Sequence, residues 1–427
     1  MRAVVLDADG TLSLRDRSKP AAADECVIRV TAAGICGTDL ELLRGYAGFS
    51  GVPGHEFVGV VEDAGPADAE WIGRRVVGEI TVGCGECAGC RVAGRGHCDV
   101  RTVLGIRGRD GAFAEYLSLP STNLHRVPAS VDDLTAVFVE PAAAACRVVE
   151  QVKIEPGMRA AVVGAGRLGL LVAQVLREHG AQLTVVVRSE GSRSIASALG
   201  FETAVVDSAR ASLARQFDVV VDASGEPAGF TVANALVRPL GTLVVKSTFH
   251  GETPVSFSPL VVDEITVIGS RCGPFARAIE LLGSGRLNVT PLVAASYPLE
   301  QFAEAFDRAK RGLKVILTTG RVCPFSAVRR SRVRAAHFSP RAPRAGGANG
   351  ASSRHACGLQ QRAGRRSARR ARAGSRSLES TPGDDPEVPN RRPRTPTRRS
   401  AQARCTLFPR SRCPSRRCRN QSPLHCR

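Results

Sequence analysis

The segment RAAVVGAGRLGLLVAQVLREHG, residues 159–180, decides the fold. RAAVV reads as a short buried strand, and RLGLLVAQVL reads as an apolar helix. Between them lies the turn Gly164-Ala165-Gly166-Arg167-Leu168-Gly169. A G-x-G-x-x-G spacing is common by chance, and the strand before it and helix after it are the context the motif requires. Such glycines allow a tight turn and let a pyrophosphate approach the backbone at the positive end of a helix. Gly164, Gly166, Leu168 and Gly169 are therefore candidate cofactor-binding residues. The alternative, an ordinary glycine-rich turn, does not call for this placement.

Downstream, LTVVVR, FDVVVDASG, GTLVVKST and EITVIGS read as strands, and RSIASALG as a helix. Strands alternating with helices imply a parallel sheet with right-handed crossovers, hence an α/β, doubly wound unit over residues 147–275. At the end of LTVVVR, a carboxylate would ordinarily bind the ribose hydroxyls of NAD. Arg188 stands there instead, with Ser189 and Arg193 nearby, which suits a 2′-phosphate and favours NADP over NAD. Glu190 pulls the other way, and Arg188 also reads as a solvated surface charge. Asp222-Ala223-Ser224-Gly225 and Lys246-Ser247-Thr248 follow strands and either flank a nicotinamide, with Ser224 as the candidate contact, or are plain turns.

Upstream, MRAVVL, ECVIRVTAAGI, EFVGVVEDAG, RRVVGEITV and AFAEYLSL are short apolar runs separated by Gly, Pro and Asp. They suggest an irregular β-barrel-like unit over residues 1–146. ARAIELLGSGRL and LEQFAEAFDRAKR read as helices and KVILTT as a closing strand, so residues 276–320 are expected to return to the first unit.

Cysteines carry the next signal. Cys84, Cys87, Cys90 and Cys98 form C-x2-C-x2-C-x7-C, a spacing that closes a tetrahedral thiolate shell around zinc and leaves no open position, so the site is structural. Cys36, in Gly34-Ile35-Cys36-Gly37-Thr38-Asp39, and His55, in Gly54-His55-Glu56, are each explicable singly as core residues. Together they suit a second zinc that keeps one position open for substrate. A third ligand has to come from elsewhere: Glu140 in Val139-Glu140-Pro141-Ala142 is the leading candidate, with Glu56 and Cys146 as alternatives. Glu140 also reads as a helix-start carboxylate.

The chain has 427 residues and a formal charge of +19, but the charge is unevenly placed. Residues 321–427 hold 27 arginines and four acidic residues, leaving 32 basic and 36 acidic residues in 1–320. The body is slightly acidic, which excludes a basic, nucleic-acid-binding fold. No apolar run approaches the ~20 residues of a membrane span. The N-terminus has no secretory pattern, and metal-type cysteine spacing fits a reducing compartment, so a cytoplasmic protein is expected. Segments such as GRRSARRARAGSRS show no periodicity and lack the composition to bury a core. Two readings of this tail stand: a disordered basic arm binding nucleic acid non-specifically, or the out-of-frame product of a GC-rich gene, given the absence of Lys, Ile, Met, Tyr and Trp.

With GICGTD, GHEFVGVV, the four-Cys segment and GAGRLG in order over residues 1 to about 320, the chain resembles the zinc-dependent medium-chain alcohol dehydrogenase superfamily. The VEPAAAA segment is similar to the Glu-Pro motif of the polyol, threonine and glucose dehydrogenase branch. The resemblance implies a GroES-like catalytic domain joined to a Rossmann domain, two zinc ions per chain and hydride transfer between an alcohol and NAD(P). It implies that Cys36, His55 and Glu140 hold catalytic zinc, with Glu56 behind them or exchanging with them, and that Thr38 accepts the hydroxyl proton. Relatives continue this relay to a His where this chain has Glu41. A homodimer or homotetramer is also implied. A nucleotide-binding protein or redox sensor with structural zinc alone is the competing expectation.

Overall fold

Six strands lie side by side in the order Glu202–Val205, Gln182–Val187, Arg159–Val163, Phe217–Asp222, Val237–Val245 and Thr266–Gly269, every neighbouring pair parallel. In chain order this is 3-2-1-4-5-6, which places the switch point between Arg159–Val163 and Phe217–Asp222. The computed structural model describes residues 1–320. The tail beyond Gly320, with its two sequence readings, lies outside the described residues.

The inner strands carry apolar runs because both faces of the sheet are covered there. On one face Val162, Val185, Val221 and Val244 pack with Leu170 and Leu171 of helix Arg167–Glu178. On the other, Ala161, Val163, Val220 and Leu243 pack with Val232, Ala233 and Leu236 of helix Pro227–Leu236. Gln174, buried mid-helix, is satisfied because its amide donates to the Leu170 and Asn288 carbonyls and its oxygen accepts the Asn288 N–H. The glycine turn is a steric requirement. Gly164 has φ of +104°, and a Cβ on Gly169 would stand 1.9 Å from the Gly164 carbonyl oxygen. Only a residue without a side chain lets the helix start that close to the strand.

The second sheet runs Val293–Pro298, Lys314–Thr318, Cys26–Ile35, Glu56–Asp63, Arg75–Gly78 and Leu124–Arg126, with Tyr116–Leu119 pairing the outer part of Cys26–Ile35. Residues 293–318 thus complete a sheet begun by the first 130 residues. Lys314–Thr318 pairs antiparallel with Cys26–Ile35, and helix Phe302–Ala309 covers the join by placing Phe306 edge-on against Phe113.

Two expectations need adjusting. The division expected between residues 146 and 147 falls inside one helix, Val139–Gln151. Its Ala142, Ala143, Ala145 and Val148 belong to a core that also contains Val162 of the six-stranded parallel sheet and Val58 and Val77 of the second sheet, so the chain crosses without a break. The helix read as RSIASALG begins earlier, at Glu190, because the Ser189 hydroxyl accepts the Ser192 N–H and caps it. Among the described residues, no helix is long and apolar enough to cross a membrane.

Candidate active site

The strand Cys26–Ile35 delivers Cys36 to the start of helix Gly37–Leu42, and the loop before Glu56–Asp63 delivers His55. Asp39 ties the two together. Its Oδ2 accepts the Cys36 N–H at 2.7 Å, and its Oδ1 lies 3.3 Å from His55 Nδ1. All of the Asp39 side chain is buried. In metal-binding histidines a carboxylate behind one ring nitrogen orients the imidazole and leaves the other nitrogen for the metal. One donor atom each from Cys36, His55 and Glu56 come within 4.8 Å of one another. Cys36 remains partly exposed, so the group opens outward, whereas His55 and Glu56 are buried. Burial alone would lower the His55 pKa. The charges of Asp39 and then Cys36 oppose that fall, and the His55 pKa is raised well above its ordinary value. Thr38 Oγ1 is 3.8 Å from Cys36 Sγ.

Glu140 stands outside the three-residue group, in the first turn of Val139–Gln151. It is partly exposed, yet protein encloses its carboxyl closely enough that burial raises its pKa to about 7. The His55 charge opposes that rise, Glu56 adds to it, and Lys314 and Lys246 oppose it. Cys146 is buried in the core, and the charged groups around it are Arg277, Glu150 and Glu280 rather than the cluster, which removes it as a ligand. Glu56, by contrast, has a partner that the motif reading missed. Lys314 Nζ donates to its Oε2, and each side chain is 1% exposed. The only sequence signal for this pair is a lysine at the head of the otherwise apolar KVILTT.

Cys84, Cys87, Cys90 and Cys98 gather with Sγ–Sγ separations of 3.5, 3.9 and 4.0 Å. Four thiolates around zinc at ~2.3 Å stand about 3.8 Å apart, so this lobe has the dimensions of a closed zinc shell. The backbone N–H groups of Cys84, Cys87 and Cys90 donate to cysteine sulfurs at 3.3–3.4 Å. Such bonds favour the thiolate: the Asp99 and then the Cys90 backbone N–H bring the Cys87 pKa down to about 6, while burial pushes Cys90 up to about 12. For both groups, thiolate, imidazole and carboxylate donors are the set zinc prefers, and the residues fit the metal.

At the switch point Gly164 and Gly166 line the turn, while Leu168 packs into the core behind it. Ser224 N–H donates to Asp222 Oδ1, and Ser247 Oγ accepts the Gly225 N–H at 2.9 Å, which binds the two loops at the carboxyl ends of the strands into one rim. Thr248 is exposed beside them. Lys246 is buried, and its amine donates to Ser270 O, Ser270 Oγ and Arg271 O. Burial lowers its pKa to about 8. Arg188 and Ser189 follow strand Gln182–Val187. Arg188 pairs with Glu226, and Arg193 lies 3.4 Å from Glu190. The His250 N–H donates to Glu41 Oε2 at 3.1 Å, joining the nucleotide unit to the helix that Cys36 begins.

A family model described as alcohol dehydrogenase GroES-like domain matches residues 22–129, and one described as zinc-binding dehydrogenase matches residues 168–284. The chain is 31% identical to D-arabinitol dehydrogenase 1 of Uromyces fabae, over 67% of this chain and 86% of that protein. It is 34% identical to L-threonine 3-dehydrogenase of Streptomyces coelicolor, over 74% and 99%. Among solved structures, a zinc-binding dehydrogenase of Sinorhizobium meliloti 1021 bound to NADP superposes with a TM-score of 0.69 at 27% identity, covering 74% of this chain and 98% of that one. The rspB alcohol dehydrogenase of Escherichia coli CFT073, complexed with NADH, does so with a TM-score of 0.69 at 26% identity, covering 74% and 99%. With its two-sheet architecture, its paired metal-type clusters and these matches, the chain belongs to the zinc-dependent medium-chain alcohol dehydrogenase superfamily and is an oxidoreductase of alcohol and polyol-type substrates.

Proposed function

We propose that this enzyme oxidises an alcohol or polyol reversibly to an aldehyde or ketone at the Cys36–His55 centre, with NADP preferred to NAD. The observation that carries the reading is the grouping of Cys36 and His55, with Asp39 behind the imidazole and Cys36 partly exposed. Cys36, His55 and Glu140 hold the zinc. Glu140 is chosen over Glu56 because Glu56 already has Lys314, whereas no hydrogen bond or ion pair engages the Glu140 carboxylate among the described residues. Bound zinc supplies a Lewis acid that acidifies the substrate hydroxyl, and the nicotinamide supplies the hydride acceptor. Cys84, Cys87, Cys90 and Cys98 hold a second, structural zinc.

Thr38 accepts the hydroxyl proton beside Cys36. Thr38→Val removes the hydroxyl with little change in volume. It is expected to lower kcat by about 10²–10⁴, the usual range for a positioned proton-transfer group, with zinc content unchanged. Unchanged turnover would take Thr38 out of the relay.

At the adenosine end Arg188, Ser189 and Arg193 offer charge and a hydroxyl to a 2′-phosphate, with Gly164, Gly166, Gly169 and Ser224 along the rest of the cofactor. The Arg188–Glu226 pair opposes this, because its charge has to be shared before a phosphate is bound. Arg188→Ser is expected to shift the NADP/NAD ratio of kcat/KM at least tenfold toward NAD. A ratio unmoved by the change would remove Arg188 from cofactor selection. We place the protein in the cytoplasm, as its reduced, metal-spaced cysteines suggest. Association of two or four copies through the nucleotide unit is supported by strand Thr266–Gly269, which ends its sheet, and by exposed Phe257, Val261 and Val262 beside it.

A further inference from the structure

Arg167 occupies an unfavourable place. It is the first residue of helix Arg167–Glu178, so its cation sits at the positive end of the helix dipole, where an anion is the stabilising choice. Its guanidinium does not stay there. Nη1 donates to the Ala309 carbonyl at 3.3 Å and to the Leu313 carbonyl at 3.1 Å, residues 142 and 146 positions away. Ala309 ends helix Phe302–Ala309, so the cation has crossed to the negative end of another helix, one that belongs to the catalytic sheet. Nη2 faces the turn that follows Cys36, and a Cβ on Gly37 would lie 3.5 Å from it. No carboxylate pairs with Arg167 among the described residues.

One side chain therefore touches three segments: the cofactor turn, the Cys36–Gly37 turn and the 309–313 turn. The third leads directly to the metal side. Leu313 precedes Lys314, whose ammonium holds Glu56, and Glu56 adjoins His55. We propose that Arg167 is a positioning residue that fixes the cofactor-binding turn against the catalytic unit and, through Leu313 and Lys314, sets the placement of the Glu56–His55 side of the metal centre. Arginine suits the task because Nη1 reaches both carbonyl oxygens while Nη2 faces Gly37, and the planar guanidinium holds the two nitrogens at a fixed separation that the single ammonium of lysine lacks. The proposal rests on the dinucleotide reading of the 164–169 turn and goes beyond it, since it assigns Arg167 no contact with the cofactor.

The test compares full-chain wild type with R167A, R167Q and R167K by zinc content, calorimetric titration with NADPH and NADH, turnover and amide hydrogen exchange. For R167A the cofactor Kd is expected to stay within threefold and zinc content to stay at the wild-type level. kcat is expected to fall at least tenfold, and exchange over residues 309–316 to accelerate at least tenfold while the rest of the chain keeps its protection. R167Q and R167K are expected to recover less than a third of the lost turnover. A Kd weakened tenfold with unchanged exchange at 309–316 would overturn the proposal in favour of direct cofactor contact. Wild-type turnover and exchange in R167A, or accelerated exchange throughout the chain in all three variants, would overturn it too. If wild type bound neither cofactor, the nucleotide reading would fall, and local or absent acceleration at 309–316 in free R167A would still decide the docking role.

Discussion

Replacing Cys36 with Ser is expected to lower the bound zinc from two ions per chain to one and to reduce kcat/KM at least a thousandfold. Serine keeps the volume but exchanges a thiolate, which binds zinc with a full charge, for a hydroxyl that stays neutral at pH 7. The remaining donors, His55 and a carboxylate, are too few for a stable site with one position open. Loss of the Lewis acid removes several kcal/mol of transition-state stabilisation, and each 1.36 kcal/mol is tenfold in rate. The four-Cys lobe contains none of the altered atoms, so its ion stays. Because Cys36 is partly exposed, the fold is expected to tolerate the change. Metal analysis and steady-state kinetics on the two proteins settle the matter. One zinc in both would mean that only the four-Cys lobe is filled. Full turnover in the serine variant would end the catalytic reading of Cys36.

The second large effect is on stability. Lys314→Met keeps the aliphatic stem and removes the charge, leaving the Glu56 carboxylate buried at 1% exposure without its partner. Breaking a buried pair from one side costs about 3–5 kcal/mol, most of it for the stranded ion. Glu56→Gln strands the Lys314 ammonium and is expected to cost a similar amount. The double variant Lys314→Met/Glu56→Gln strands no charge and is expected to recover most of the loss. Denaturation in urea, with and without zinc, gives the three comparisons. If Lys314→Met cost under 1 kcal/mol in the metal-free protein, the pair would not be what neutralises Glu56.

Legibility in the sequence followed distance along the chain. The glycine turn, the alternation of strands and helices, and the four cysteines are patterns in which neighbouring residues constrain one another. Cys84 to Cys98 span 15 residues, so connectivity alone brings them within reach of one ion. Cys36 and His55 were legible as a pair because short loops lead to each. Asp39 lay inside the quoted GICGTD motif, but nothing in its spacing showed that it would face His55. The helix start at Glu190 was misread because apolar periodicity weakens where a side-chain cap takes over.

What the sequence by itself determined is the layer architecture, the strand–glycine turn–helix unit and the gathering of the four cysteines, because periodicity and short-range spacing dictate them. What only the tertiary structure decided is the set of partners: Lys314 for Glu56, Glu226 for Arg188, and the Ala309 and Leu313 carbonyls for Arg167. Lys314 and Glu56 lie 258 positions apart. Whether two such charges meet depends on strand order and register, and the energy that makes their meeting necessary arises only once both have left water.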